Sequence, residues 1–183
     1  MLYCVSLLTI KLTQYYYLNF EKANSLFMDT SFSEGELKRA KAVVYRLLKI
    51  RLRSTKEIEE KLRRKEFSKK TIENIIGYFT KLKFLDDELF AKAWINSRLN
   101  KPFGVKRIRF ELKIKGITND ILNAKLAEAL ENLDKGDLVD KLVGKMKMRY
   151  RHVVKLKAQQ RAYGYLSRRG FDNDIVMKVI KQL

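Results

Sequence analysis

One cysteine, one histidine, one proline and eight glycines are all that this 183-residue chain holds of those four residue types. A lone cysteine, Cys4, excludes an internal disulfide framework and any cysteine-rich zinc site, which fits a reducing compartment. The lone His152 removes Ser–His, Cys–His and multi-histidine metal constellations. So little proline and glycine argues against a loop-rich sandwich and for long uninterrupted helices. Long apolar runs are also missing. The opening stretch Met1–Ile10 is interrupted by Lys11, whereas a spanning helix needs about 20 apolar residues. The basic start and small-residue cleavage site of a signal peptide are absent too. With neither a Gly-x-x-x-x-Gly-Lys loop nor a Gly-x-Gly-x-x-Gly turn, nucleotide binding has no visible seat. The expectation is a cytoplasmic chain with no cofactor and no membrane partner.

Negative charge is scarce, and it is scarcest in one place. The formal net charge is +19. Residues 1–39 balance, with Lys11, Lys22, Lys38 and Arg39 against Glu21, Asp29, Glu34 and Glu36, so the surplus lies in residues 40–183. Between Asp140 and Asp172 there is no carboxylate, while lysines and arginines recur from Lys141 to Arg169. Such a field concentrates polyanions and speeds their capture, which points to nucleic acid or a partner that carries it. A hydrophobic share of 46% is still enough to build a core.

The β-branched and aromatic residues of Val5–Thr13 and Tyr15–Phe20 suit strands, so residues 1–32 read as a small β-rich extension. From Ser33 onward the period is helical. Ser33 with Glu36 resembles a capping box; Ser54, Ser68 and Asp86-Asp87 are placed to open further helices. An internal repeat then sets the architecture. KLRRKEFSKKTIENII (61–76), ELKIKGITNDILNAKL (111–126) and YLSRRGFDNDIVMKVI (165–180) align so that Leu62, Leu112 and Leu166 coincide, as do Phe67, Ile117 and Phe171. Gly116 and Gly170 fall at one turn position, where the first copy has Glu66. A longer helix precedes each copy, at about 36–53, 87–100 and 137–161. The fold expected is all-α, with three tandem three-helix repeats (33–85, 86–134 and 135–183) in an elongated or curved array.

These stretches resemble the RecX family, the bacterial regulators of the RecA recombinase. The resemblance is carried by RLRSTKEIEEKLRRKEF (51–67), FLDDELFAKAWINSRLNKPFGVKRIRFELKIKGI (84–117) and LSRRGF (166–171), and it covers roughly residues 37–183. It implies a non-enzymatic protein that lies along the groove of the RecA–DNA filament, binding single- and double-stranded DNA. There it inhibits or modulates ATPase, strand exchange and coprotease functions in recombination, DNA repair and the SOS response. The implied partners are the RecA filament and DNA, met by a monomer.

Spacing supplies candidate contacts. On a helix at 105–115, Val105, Ile108 and Leu112 form the inward stripe, and Lys106, Arg109 and Lys113 share another face. On the helix starting at 137, Lys141, Lys145 and Arg149 form a ladder. The residues expected to meet RecA or DNA are Arg98, Lys101, Lys106, Arg107, Arg109, Lys113, Lys115, Lys141, Lys145, Arg149, Arg168 and Arg169. Arg98 has two open readings, reaching a partner or bracing the next loop. Phe90 and Trp94 read as core; Phe103, Tyr163 and Tyr165 are the candidates for base stacking. Two other readings compete. One is a DNA binder acting by competition for DNA. The weaker one is a metal-dependent nuclease using Asp87 with Glu111 and Lys113, although that pattern falls on a helix instead of a strand.

Overall fold

The computed structural model describes residues 34–131 and 133–183, which form helices joined by turns, with no strand among them. The β-rich reading of residues 1–32 and the capping role of Ser33 lie outside the described residues. The chain divides into two compact units, Met1–Leu85 and Asp86–Leu183.

In the first unit α1 (Glu34–Ile50), α2 (Thr55–Arg63) and α3 (Lys69–Lys81) surround one core. Ser54 and Ser68 open α2 and α3 as expected: their hydroxyl oxygens accept from the amides of Glu57 and Thr71 at 3.2 and 3.3 Å. Glu36 reaches beyond its own helix. Its carboxylate accepts from the Ser68 amide at 2.9 Å and the Thr71 hydroxyl at 3.0 Å, so it caps α3 across the fold. The Ser68 amide holds the Glu36 carboxyl below its usual range. Ala40, Val44, Ile58, Leu62, Ile75 and Phe79 are at most 1% exposed. Each large apolar side chain buried this way contributes about 1.5–3 kcal/mol. Tyr45 meets Phe79 and Phe84 edge-on at 4.9 and 5.7 Å between ring centres.

The second unit contains two such trios. α4 (Asp87–Leu99), α5 (Val105–Ile114) and α6 (Asn119–Glu131) enclose Phe90, Ile95, Ile108, Leu112, Leu122 and Leu126. α7 (Lys135–Arg149), α8 (Lys155–Arg168) and α9 (Asn173–Lys181) enclose Val139, Leu142, Met146, Leu166, Phe171 and Val176. Asp86 caps α4 through the Leu89 amide at 2.9 Å, and Asp134 caps α7 through the Gly136 amide at 2.7 Å.

The helix expected over 137–161 is two helices. α7 ends at Arg149, residues 150–154 form a turn, and α8 starts at Lys155. The break carries no glycine or proline, and Val154, which precedes α8, offers no side-chain cap. The periodic pattern therefore runs through it unmarked. The β-branched pair Val153-Val154 is the one local hint.

The aligned copies share one helix-ending turn. Phe67, Ile117 and Phe171 donate to the carbonyls of Leu62, Leu112 and Leu166 at 3.4, 3.1 and 3.2 Å, while Glu66, Gly116 and Gly170 donate to Arg63, Lys113 and Ser167 at 3.0 Å. That is a six-to-one bond enclosing a five-to-two bond, with a left-handed residue at the corner. The corner φ values are 62° at Glu66 and 80° at both glycines.

In the second unit the last of these turns is also the joint between trios. The Gly104 amide donates to Arg169 at 2.9 Å and the Lys106 amide to Gly170 at 3.1 Å. The first amides of α5, which have no partner inside their own helix, thus find carbonyls in the third repeat. The approach is backbone to backbone. A Cβ on Gly104 would lie 2.1 Å from the Gly170 oxygen, and one on Gly170 would lie 2.4 Å from the Arg107 nitrogen.

Candidate functional site

α5 turns its basic face outward. Lys106, Arg107 and Lys113 are exposed and Arg109 is half-buried, opposite the fully buried Ile108 and Leu112. Lys106 sits 3.6 Å from Asp172, and Arg109 donates to Asn123 at 2.5 Å. Two of the cations converge on one carboxylate. Arg98 Nε donates to Glu111 at 2.6 Å and Arg107 Nε at 2.8 Å, while the Trp94 indole donates at 3.1 Å. Burial pushes the Glu111 carboxyl up, but the bonds from Arg107, Arg98 and Trp94 outweigh it and hold the carboxyl below its usual range. Glu111 is thus a counter-ion that positions Arg98 between α4 and α5, with its oxygens already engaged. Among the described residues no group of three or more His, Cys, Asp or Glu is placed to hold a metal ion.

From Arg98 a series of cations and rings runs across both trios. Lys115 lies 4.3 Å over Trp94, and Arg98 lies 4.2 Å over that same ring. Arg98 also reaches Phe103 at 5.4 Å, which Arg169 covers at 4.7 Å. Arg169 then stands 5.1 Å from Tyr165, and Arg149 stands 4.9 Å from it. Cation and ring alternate from α6's approach turn to the end of α7. Each such contact contributes about 0.5–1 kcal/mol where exposed and more where water is excluded. Four of the expected contact residues, Arg98, Lys115, Arg149 and Arg169, are brought together in this way.

The others stand apart. Lys141 and Lys145 are exposed on α7, with Lys141 2.5 Å from Asp137. Lys101 and Arg168 are exposed as well. Of the stacking candidates, Phe103 and Tyr165 already carry guanidinium groups, and Tyr163 is 47% exposed. Sequence reasoning missed the part played by Trp94 and Glu111. The signal was present, since Trp94–Arg98 and Arg107–Glu111 are both i, i+4 pairs. It also passed over Phe110 and Ile114, which fall off the inward stripe of α5 and are 59% and 57% exposed.

Comparison with known proteins gives this arrangement a family. Residues 40–79 match the family model described as RecX, first three-helix domain, and residues 86–126 match RecX, second three-helix domain. The regulatory protein RecX of Prosthecochloris aestuarii is 32% identical over 152 residues, which is 82% of this chain and 97% of that protein. The chain belongs to the RecX family. The regulatory protein RecX of Amycolatopsis mediterranei is 29% identical, over 81% of this chain and 85% of its own length. The crystal structure of RecX from Lactobacillus salivarius is similar with a TM-score of 0.68 at 26% identity, covering 82% of this chain and 98% of that one. A regulatory role follows from membership. No described helix is long and apolar enough to cross a membrane.

Proposed function

We propose that this RecX-family chain binds the RecA–DNA filament and restrains its ATPase, strand-exchange and coprotease activities. In the cell that places it in recombination, DNA repair and the SOS response. The observation that carries the reading is the carboxylate-free, cation-dense stretch between Asp140 and Asp172, whose lysines and arginines stand largely exposed on α7 and α8. Its cations Arg149 and Arg169 are held on rings at the joint with α5, so part of the positive surface is ordered before any partner arrives. An ordered row of cations suits a regular array of phosphates better than mobile lysines do, because less side-chain entropy is lost on contact. The chain acts by occupying the filament, with no chemistry of its own.

The test is ATP hydrolysis by the cognate RecA on single-stranded DNA, with this protein titrated in. Hydrolysis falls at substoichiometric or equimolar ratios; unchanged hydrolysis there ends the proposal. The same cation-dense stretch favours a second reading, a DNA binder that competes with RecA for the strand. Its affinity for naked DNA would account for all inhibition. With about 6–10 phosphate contacts it would then drop roughly 10³–10⁵-fold from 50 to 200 mM salt, taking inhibition with it.

A further inference from the structure

The corner between the first and second helix of a trio occurs three times, and each copy is finished differently. In the first trio Ser54 is fully buried and caps α2, and Arg51 pairs with Glu57 at 2.9 Å. In the second, Gly104 is seated backbone to backbone on the turn at Arg169 and Gly170. In the third, Val154 holds the cap position, supplies no side-chain bond and is 74% exposed. Met148 in the last turn of α7 is 71% exposed, and Leu156 in the first turn of α8 is 66% exposed. The inner sides of the two helices are filled by Met146 and Ala158, both buried. A lone exposed apolar residue needs no explanation, but three within nine residues at one corner do. Valine is a poor cap, and none of the three fills the core, so folding does not account for them.

The rim of this corner carries one sign of charge. Lys145, Lys147, Arg149, Arg151, Lys155 and Lys157 are all exposed, and no carboxylate occurs from residue 141 to residue 171. A rim so uniform selects a polyanion. Aliphatic side chains give single-stranded bases no stacking platform. In the minor groove of a duplex, by contrast, Leu and Met side chains enter between base steps and kink the helix while flanking cations hold the phosphates. An anionic lipid surface calls for an apolar stripe continued along one helix. Here Gln159 and Gln160 take the positions one turn beyond Leu156, and the stripe stops. We infer that the α7–α8 corner is a wedge for double-stranded DNA. Met148, Val154 and Leu156 part a base step from the minor groove, and the cations around them neutralise the phosphates on either side. Pyrimidine–purine steps, which unstack most easily, are its preferred sites. This inference rests on the reading that the stretch between Asp140 and Asp172 meets phosphates; it names duplex DNA and its deformation as the substrate and needs no RecA.

The experiment uses the full chain and a duplex of about 30 base pairs with a central TpA step and a fluorophore at each end, so that energy transfer reports bending. The unaltered protein raises the transfer on binding. Met148→Gln with Leu156→Gln keeps every cation. This variant leaves the duplex straight and binds it about tenfold more weakly, while the salt slope of binding stays within about one of the parent's. Val154→Ser, which gives α8 a capping hydroxyl, also lowers the bending, and it decides the matter if the paired variant melts below the parent. Unchanged transfer when the unaltered protein saturates the duplex overturns the wedge and leaves the phosphate reading standing. A variant that bends the duplex as the parent does overturns it equally. Losses confined to vesicles of anionic phospholipid, or to RecA-coated single strands, assign the corner to lipid or to protein and also overturn it. An unaltered protein that holds only single strands at low salt removes the wedge alone; one that holds neither form removes the phosphate reading as well.

Discussion

The turn at Glu66 in the first unit and the turn at Gly170 in the second have the same backbone and differ in what presses on it. Both hold a left-handed corner, with φ of 62° and 80°, and both close the same pair of hydrogen bonds. Glu66 faces solvent. Gly170 has the first turn of α5 against it, with the Arg107 nitrogen 2.4 Å from where a Cβ would be. A left-handed corner by itself tolerates a side chain at a cost of about 1–2 kcal/mol. A backbone packed onto that corner tolerates none. The repeat therefore specifies the turn everywhere, and glycine is obligatory only where one trio is seated on the next.

Substitutions can break this comparison in order of size. Gly170→Ala combines a disfavoured φ with a backbone clash, and Gly104→Ala puts a Cβ 2.1 Å from the Gly170 oxygen. Each is expected to cost about 3 kcal/mol in urea unfolding, at the severe end for single substitutions. Each should also loosen the joint while leaving the first unit's melt in place. Gly116→Ala meets the same φ of 80° at an exposed corner and costs about 1 kcal/mol. Glu66→Gly goes the other way, raising stability by about 0.5 kcal/mol, because relief of the left-handed penalty slightly exceeds the added chain entropy. If alanine at 170 were no worse than at 116, the close approach would not be what demands glycine.

A subtler contrast lies in two carboxylates. Glu36 in the first unit caps α3, and Glu111 in the second holds Arg98, Arg107 and Trp94. Both are held below the ordinary value of 4.5. A depressed carboxyl contributes stability that is complete above its unfolded pKa and is lost as pH falls through the lower folded one. Acid melts should thus show each unit weakening below about pH 4.5. Glu111→Gln should flatten the second unit's loss without changing the first unit's. An identical acid profile in that variant would mean that the three donors do not stabilise the ionised form.

The repeat was legible because its signals are local. Leu62, Leu112 and Leu166 recur with the same turn five residues on, and all three are fully buried. Ser54, Ser68 and Asp86 announce their helices by their own chemistry. The break at 150–154 was not legible, since no residue there is a strong helix breaker. Nor was Glu36's role, because its partner is 32 residues away. The candidate site divides along the same line. The ladders on α5 and α7 follow from helical spacing; Lys106, Lys113, Lys141, Lys145 and Arg149 are exposed, and Arg109 is half-buried against Asn123. The cation and ring series depends on Arg149 of α7 meeting Tyr165 of α8 and on Phe103 meeting Arg169, a contact that exists only after the two trios pack. Helical periodicity says which face a residue occupies and nothing about which face of another repeat it will meet.

The most direct test of the regulatory account is co-sedimentation of this protein with RecA–DNA filaments across a salt series, run beside naked single-stranded DNA. The account predicts retention on filaments at salt concentrations where the naked strand no longer holds the protein. Loss from both at the same salt would show that the chain recognises the strand alone.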